Sequence, residues 1–178
     1  IFLVTLFAFN LLGVSEFANA KSNTIHVYNG EKIQNAVNVA NPGDTIIVHA
    51  GTYQEMVNVN KPLTIIGKNA IIETPDVYGF VVSAKATISG FQIKPLEDGN
   101  LHYLGIYFGA SNDGGTASKN KIFPGFLLAG IHVEGCSGIA LDNNYIESGS
   151  GCNGISIYDS SNVVVSGNRL TGVATSKV

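Results

Sequence analysis

GIHVEGCSGIALDNNYIESGSGCNGISIYDSSNVVVSGNRL, residues 130–170, is a stretch that repeats itself. GIHV at Gly130 returns as GISI at Gly154, and NNYI ending at Ile146 returns as GNRL ending at Leu170, the same shift in both cases. The echo continues towards the N-terminus with some drift. Asn120-Lys121-Ile122 precedes Asn144-Tyr145-Ile146 by that same shift, GIYF at Gly105 precedes Gly130 by one position more, and GFVV at Gly79 precedes Gly105 by two more. Each unit holds two or three short alternating segments separated by Gly, Ser, Asn or Asp. That is too little for a domain and too strand-like for a helical solenoid, so one repeat is one coil of a stacked β structure.

The register of the repeat predicts which side chains point inward. Val57, Phe80, Ile106, Ile131 and Ile155 form one expected ladder, and Val59, Val82, Phe108, Val133 and Ile157 form another two positions along. Between them Asn58, Val81, Tyr107, His132 and Ser156 share no apolar character, as the outward face of a period-two strand allows. A second strand places Ile88, Leu141 and Val165 inward. After a turn, Ile93, Ile122, Ile146 and Leu170 follow, and Asn120, Asn144 and Asn168 stack at that turn, where an amide can bond its neighbours. The fold class predicted is all-β, a right-handed parallel β-helix solenoid of about five coils with a short N-terminal capping helix. The helix is read from EKIQNAVNVA, where Ile33, Ala36, Val37 and Ala40 share a face before Asn41-Pro42-Gly43-Asp44 stops it.

The opening run, IFLVTLFAFNLLGV, is almost wholly apolar and leads to Ala18-Asn19-Ala20, a small-x-small pattern that a signal peptidase accepts. The run is shorter than the roughly 20 residues a membrane-spanning helix needs. The sequence thus divides into a signal peptide over 1–20 with a truncated n-region, a linker and capping helix over 21–44, and coils over 45–178 that break off mid-coil. A secreted, periplasmic or cell-surface protein is expected, with no membrane span in the mature chain and a single monomeric module of a longer one. A net charge of -3, with ten Lys plus Arg and no basic cluster, argues against nucleic acid as a partner. Cys136 and Cys152 are separated by about two thirds of a coil and fall at different corners, so free thiols are expected.

Residues 42–72, PGDTIIVHAGTYQEMVNVNKPLTIIGKNAII, resemble the opening of the NosD-like and pectin-lyase-like right-handed β-helix families. The matching residues are Ile33, Gln34, Ala36, Gly43, Asp44, Gly51, Tyr53, Glu55, Lys61, Pro62, Leu63 and Gly67. The later GI-x-V and S-x-x-V-x-x-N units resemble the parallel β-helix repeats of the same superfamily. The resemblance implies the fold; its functions range over polysaccharide lyases, pectin esterases, glycoside hydrolases, epimerases, surface proteins and periplasmic NosD proteins associated with copper-enzyme maturation. Fold alone does not choose among them.

No catalytic residue can be named. The Asp and Arg of pectin esterases have no visible counterparts, and the ladders offer no acidic cluster of the lyase type. Glu134 has Gly109 and Tyr158 as coil neighbours, and Asp142 has Ser118 and Ser166, so neither has the second carboxylate a glycosidase needs. The reading leans against an enzyme; were chemistry carried, it would be that of a polysaccharide lyase or glycoside hydrolase. The candidate ligand-binding residues are the outward Tyr107, His132, Glu134 and Tyr158, with Asp98 and His102 on the longer connection PLEDGNLHYL, because loops on rigid scaffolds carry function. Polysaccharide or envelope glycan is the expected partner, with a structural, adhesin-like array or a NosD-like copper-enzyme maturation protein as alternatives. No cofactor and no metal site are expected: His26, His49, His102 and His132 fall at dissimilar coil positions, and His132 with Cys136 is the only close pair.

Overall fold

The computed structural model describes residues 22–97, 102–109, 112–123, 125–149 and 152–172. The predicted signal peptide lies outside them. Each full coil passes through three short parallel strands, each of which stacks on its counterpart one coil away. The first sheet has seven strands, Thr24–Val27, Thr45–Val48, Thr64–Gly67, Thr87–Ser89, Thr116–Ser118, Ala140–Asp142 and Val164–Ser166. The second has six, Gly51–Tyr53, Ala70–Thr74, Gln92–Pro95, Lys121–Ile122, Tyr145–Ser148 and Arg169–Gly172. The third has five, Val57–Val59, Tyr78–Val82, Leu104–Phe108, Ala129–Glu134 and Asn153–Tyr158. The architecture is the parallel β-helix expected from the repeat.

The inward ladders pair as read from the sequence. Val57, Phe80, Ile106, Ile131 and Ile155 are in register, as are Val59, Val82, Phe108, Val133 and Ile157. Ile65, Ile88, Ala117, Leu141 and Val165 fill the first sheet's inner face, and Ile72, Ile93, Ile122, Ile146 and Leu170 the second's. Alternation with period two lets each strand bury one face while the other stays wet. The rungs of the last described coil are the exception, with Ile157, Val165 and Leu170 close to half exposed, because no described residue stacks upon them. The glycine within each of the last four third-sheet strands has a steric cause at Gly105. A Cβ there would come within 2.6 Å of the Gly130 carbonyl oxygen and 2.9 Å of Ile122 Cγ2.

At the corner between the first and second sheets, three asparagines form a stacked column. The backbone N–H groups of Asn120 and Asn144 donate to Oδ1 of Asn144 and Asn168, at 3.0 and 2.8 Å. Their Nδ2 groups donate to Ile88 and Ala117 carbonyls, and that of Asn168 to Leu141. The column thus gives the corner amides acceptors and ties them to carbonyls of the first-sheet strands.

The capping helix spans Ile33–Val39 and buries Ile33, Ala36 and Val37 over the open end of the coils. Glu55 holds its start by accepting the Ile33 and Gln34 N–H groups at 2.9 and 3.0 Å, and Lys61 Nζ holds its end by donating to the Val37, Asn38 and Ala40 carbonyls. These contacts satisfy helix-end groups that have no intrahelical partner and place charge of the favourable sign at each end. Asp44 accepts from Asn23 and Asn41, and Gln34 exchanges hydrogen bonds with the Asn58 backbone. The shared opening motif is largely a set of cap fasteners. One difference from the sequence reading precedes the helix: Thr24–Val27 is a strand paired with Thr45–Val48, within the segment read as linker.

Candidate functional site

The outer face of the third sheet brings together three of the predicted site residues. Tyr107 and His132 pair in register, and their rings stack at 5.8 Å and 16°. Tyr78 extends the stack on the other side of Tyr107 at 5.6 Å and 20°. The Tyr107 hydroxyl donates to Glu134 Oε2 at 2.9 Å, and His132 Nε2 lies 3.7 Å from the same oxygen. Burial, followed by the hydrogen bond to Glu134 and its negative charge, pushes the Tyr107 hydroxyl up to about 12. The phenol therefore stays protonated and donates. Tyr158 pairs with Glu134 in register and is 65% exposed at the end of this face. The outcome is a flat, half-wet strip of ring faces with one carboxylate at its edge, suited to contact.

The connection after Pro95 is a different matter. Asp98 lies outside the described residues. His102 is only 4% exposed, with Nδ1 2.7 Å from the Asp76 carbonyl. Its neighbour Tyr103 donates its backbone N–H to the Val77 carbonyl. His102 fastens the connection to the preceding corner. No disulfide joins Cys136 and Cys152, as expected. Cys136 is buried, burial pushes its thiol up, and its Sγ contacts the Glu134 carbonyl, so it makes no pair with the outward His132.

A second cluster was missed by the sequence reading. His26 Nδ1 and His49 Nε2 lie 2.8 Å apart, sharing a hydrogen whose position depends on the tautomers, and the two rings stack at 5.1 Å. Tyr28 lies face to face with His49 at 4.4 Å and 8°. The two histidines do fall at dissimilar coil positions, since His26 pairs with Ile47 and the rung of His49 is that of Tyr28, yet the diagonal between adjacent coils is short enough for them to meet. Thr24 pairs with Thr45 and Thr45 with Thr64, whereas Ala140 pairs with Val164, so the first coils are shorter than the later ones whose period was used to place them. Aligning TIHVY at Thr24 with TIIVH at Thr45 would have put Tyr28 beside His49. The backbone here is firmly held: the His49 N–H donates to Val27 at 2.9 Å, and the His49 carbonyl accepts from the Tyr53 hydroxyl at 2.9 Å.

A parallel β-helix with a fastened N-terminal helix and chemistry confined to outward side chains defines a β-solenoid. A family model described as periplasmic copper-binding protein (NosD) matches residues 18–176, and the chain belongs to this family. Its periplasmic description agrees with an exported protein. Neither a curated protein nor a solved structure matches the chain.

Copper asks for imidazole or sulfur donors. Among the described residues, no group of three or more His, Cys, Asp or Glu side chains could hold a metal ion. The donors that fit are the adjacent imidazole nitrogens of His26 and His49, both reachable from solvent.

Proposed function

We propose that this chain is a copper-binding module of the periplasm, in which a rigid β-helix presents the His26–His49 pair as the seat of the cation. The observation that carries the reading is the 2.8 Å approach of two imidazole nitrogens on adjacent coils, on backbone held by the first-sheet ladder. In this role the histidines supply neutral nitrogen lone pairs, the strands fix their separation, and Tyr28 shields one ring face from water. Copper would be cargo, and the chain's contribution is to bind and orient it. The test is equilibrium dialysis of the purified exported protein against copper, with metal counted per chain. One bound copper, lost in His26→Ala and His49→Ala and retained in His132→Ala, is expected; copper retained in both of the first two variants would refute the assignment.

A second reading, recognition of polysaccharide along the third sheet, is favoured by the Tyr78–Tyr107–His132 stack with Glu134 at its edge. Ring faces pack against sugar C–H surfaces while the carboxylate accepts from hydroxyls. A glycan array comparing the native protein with Tyr107→Ala and His132→Ala tests it: saturable binding abolished by both variants is expected, and no binding by the native protein overturns it.

A further inference from the structure

We propose that the outer strip of the third sheet takes a linear glycan whose sugars carry free amines, with an ammonium group seated on the Glu134 carboxylate. The inference rests on the polysaccharide reading and adds to it the charge class of the polymer.

The order of the strip suits a chain lying along the coil axis. Tyr78, Tyr107 and His132 stand on three successive coils, with ring centroids 5.6 and 5.8 Å apart, and Tyr158 follows on the fourth. That step is close to the length of one pyranose unit in an extended glycan. Successive sugars therefore meet successive rings, apolar C–H surfaces against aromatic carbon.

Charge separates the three sheets. Every Lys and Arg within a described strand, namely Lys94, Lys121 and Arg169, lies in the second sheet. The strands of the third sheet hold none, and the one carboxylate within them is Glu134. The exposed Asp159 comes directly after Tyr158, at the end of the last of these strands. A uronate polymer would bring carboxylates to a face whose strands offer no Lys or Arg to receive them, against like charge. A polymer of amino sugars brings the opposite sign.

Glu134 is set up to accept. Its side chain is 47% exposed. Oε2 accepts from the Tyr107 hydroxyl at 2.9 Å and lies 3.7 Å from His132 Nε2, whereas Oε1 has no partner among the described residues. The Tyr107 bond thus holds the carboxylate at the edge of the rings and leaves one oxygen for an incoming donor. A charge-assisted hydrogen bond is roughly twice as strong as a neutral one. An N-acetylated sugar has lost the charge and two of the three donors of the ammonium group, so the carboxylate distinguishes the two forms.

The test is isothermal titration calorimetry of the whole chain at about pH 6, where sugar amines are charged. The probes are hexamers of glucosamine, of N-acetylglucosamine and of galacturonic acid. Glu134→Gln is run alongside, because it keeps an acceptor for the Tyr107 hydroxyl while removing the charge; thermal melting confirms that it folds. Expected is glucosamine hexamer bound at least about fivefold more tightly than the N-acetylated hexamer, with no binding of galacturonate. The preference is expected to shrink below about twofold in Glu134→Gln, and to weaken with added salt in the native protein. An N-acetylated or uronate hexamer bound as tightly as the amine, or a preference that survives Glu134→Gln, overturns the amine assignment and leaves the polysaccharide reading standing. Binding of none of the three overturns the inference, and a glycan array that is also empty takes the polysaccharide reading with it.

Discussion

Replacing Asn144 with alanine tests whether the corner column holds the coils together. Asn144 Oδ1 accepts the Asn120 N–H at 3.0 Å, and its Nδ2 donates to the Ala117 carbonyl at 2.9 Å; both partners sit where water cannot replace the lost bonds. Orphaning a buried polar group costs about 1–3 kcal/mol, so two such groups cost about 3–4 kcal/mol. For a domain of this size that is a fall in Tm of about 10 °C. Asn168→Ala is the internal control. Its Oδ1 and Nδ2 make equivalent bonds, to the Asn144 N–H and the Leu141 carbonyl, but Asn168 is half-buried and water can enter, so a cost of about 1 kcal/mol is expected. Urea unfolding followed by far-UV circular dichroism reads both. If Asn144→Ala loses less than about 1 kcal/mol, or no more than Asn168→Ala does, buried hydrogen bonding is not what the column contributes.

Glu55→Ala leaves the Ile33 and Gln34 N–H groups without their acceptor and is expected to cost about 2–3 kcal/mol, with hydrogen exchange rising first in residues 33–39; an unchanged exchange pattern refutes the cap role. Tyr107 is expected to ionise at about 12 in an absorbance titration, and Glu134→Gln to lower it only in part, because burial is the larger cause. Since its folded value lies above the ordinary 10.0, the stability it contributes is whole below pH 10 and is lost as pH rises through about 12. A Tm that falls less over that window in Tyr107→Phe than in the native protein is the check.

The ladders were legible because a constant interval in the later coils sets rungs by simple addition, and every inward rung is apolar. The Asn column could be placed for the same reason. The His26–His49 pair was not legible by that addition, since the shorter coils that join Thr24 to Thr45 and Thr45 to Thr64 shift the register of the first strands. The contact of His102 with Asp76 was not legible because a connection without periodicity says nothing about which way a side chain turns. The strand at Thr24–Val27 is short and has no repeat before it, too little pattern to separate from a linker. The motif residues Gln34, Asp44, Glu55 and Lys61 were recognisable as a signature, whereas their joint task, fastening a helix over the coil end, needs the third dimension.

Coil length and rung spacing are independent in this molecule. Thr45 pairs with Thr64 across a short coil and Thr87 with Thr116 across a much longer one, yet all four lie in one sheet without loss of register. Insertions and deletions are absorbed at the corners, and the outward side chains keep the pitch of the strands, near about 4.8 Å. Such a chain can diversify by lengthening its corners while its flat faces remain a fixed ruler. A lineage of these proteins could therefore change what its loops grasp without moving a single histidine or tyrosine on the faces between them.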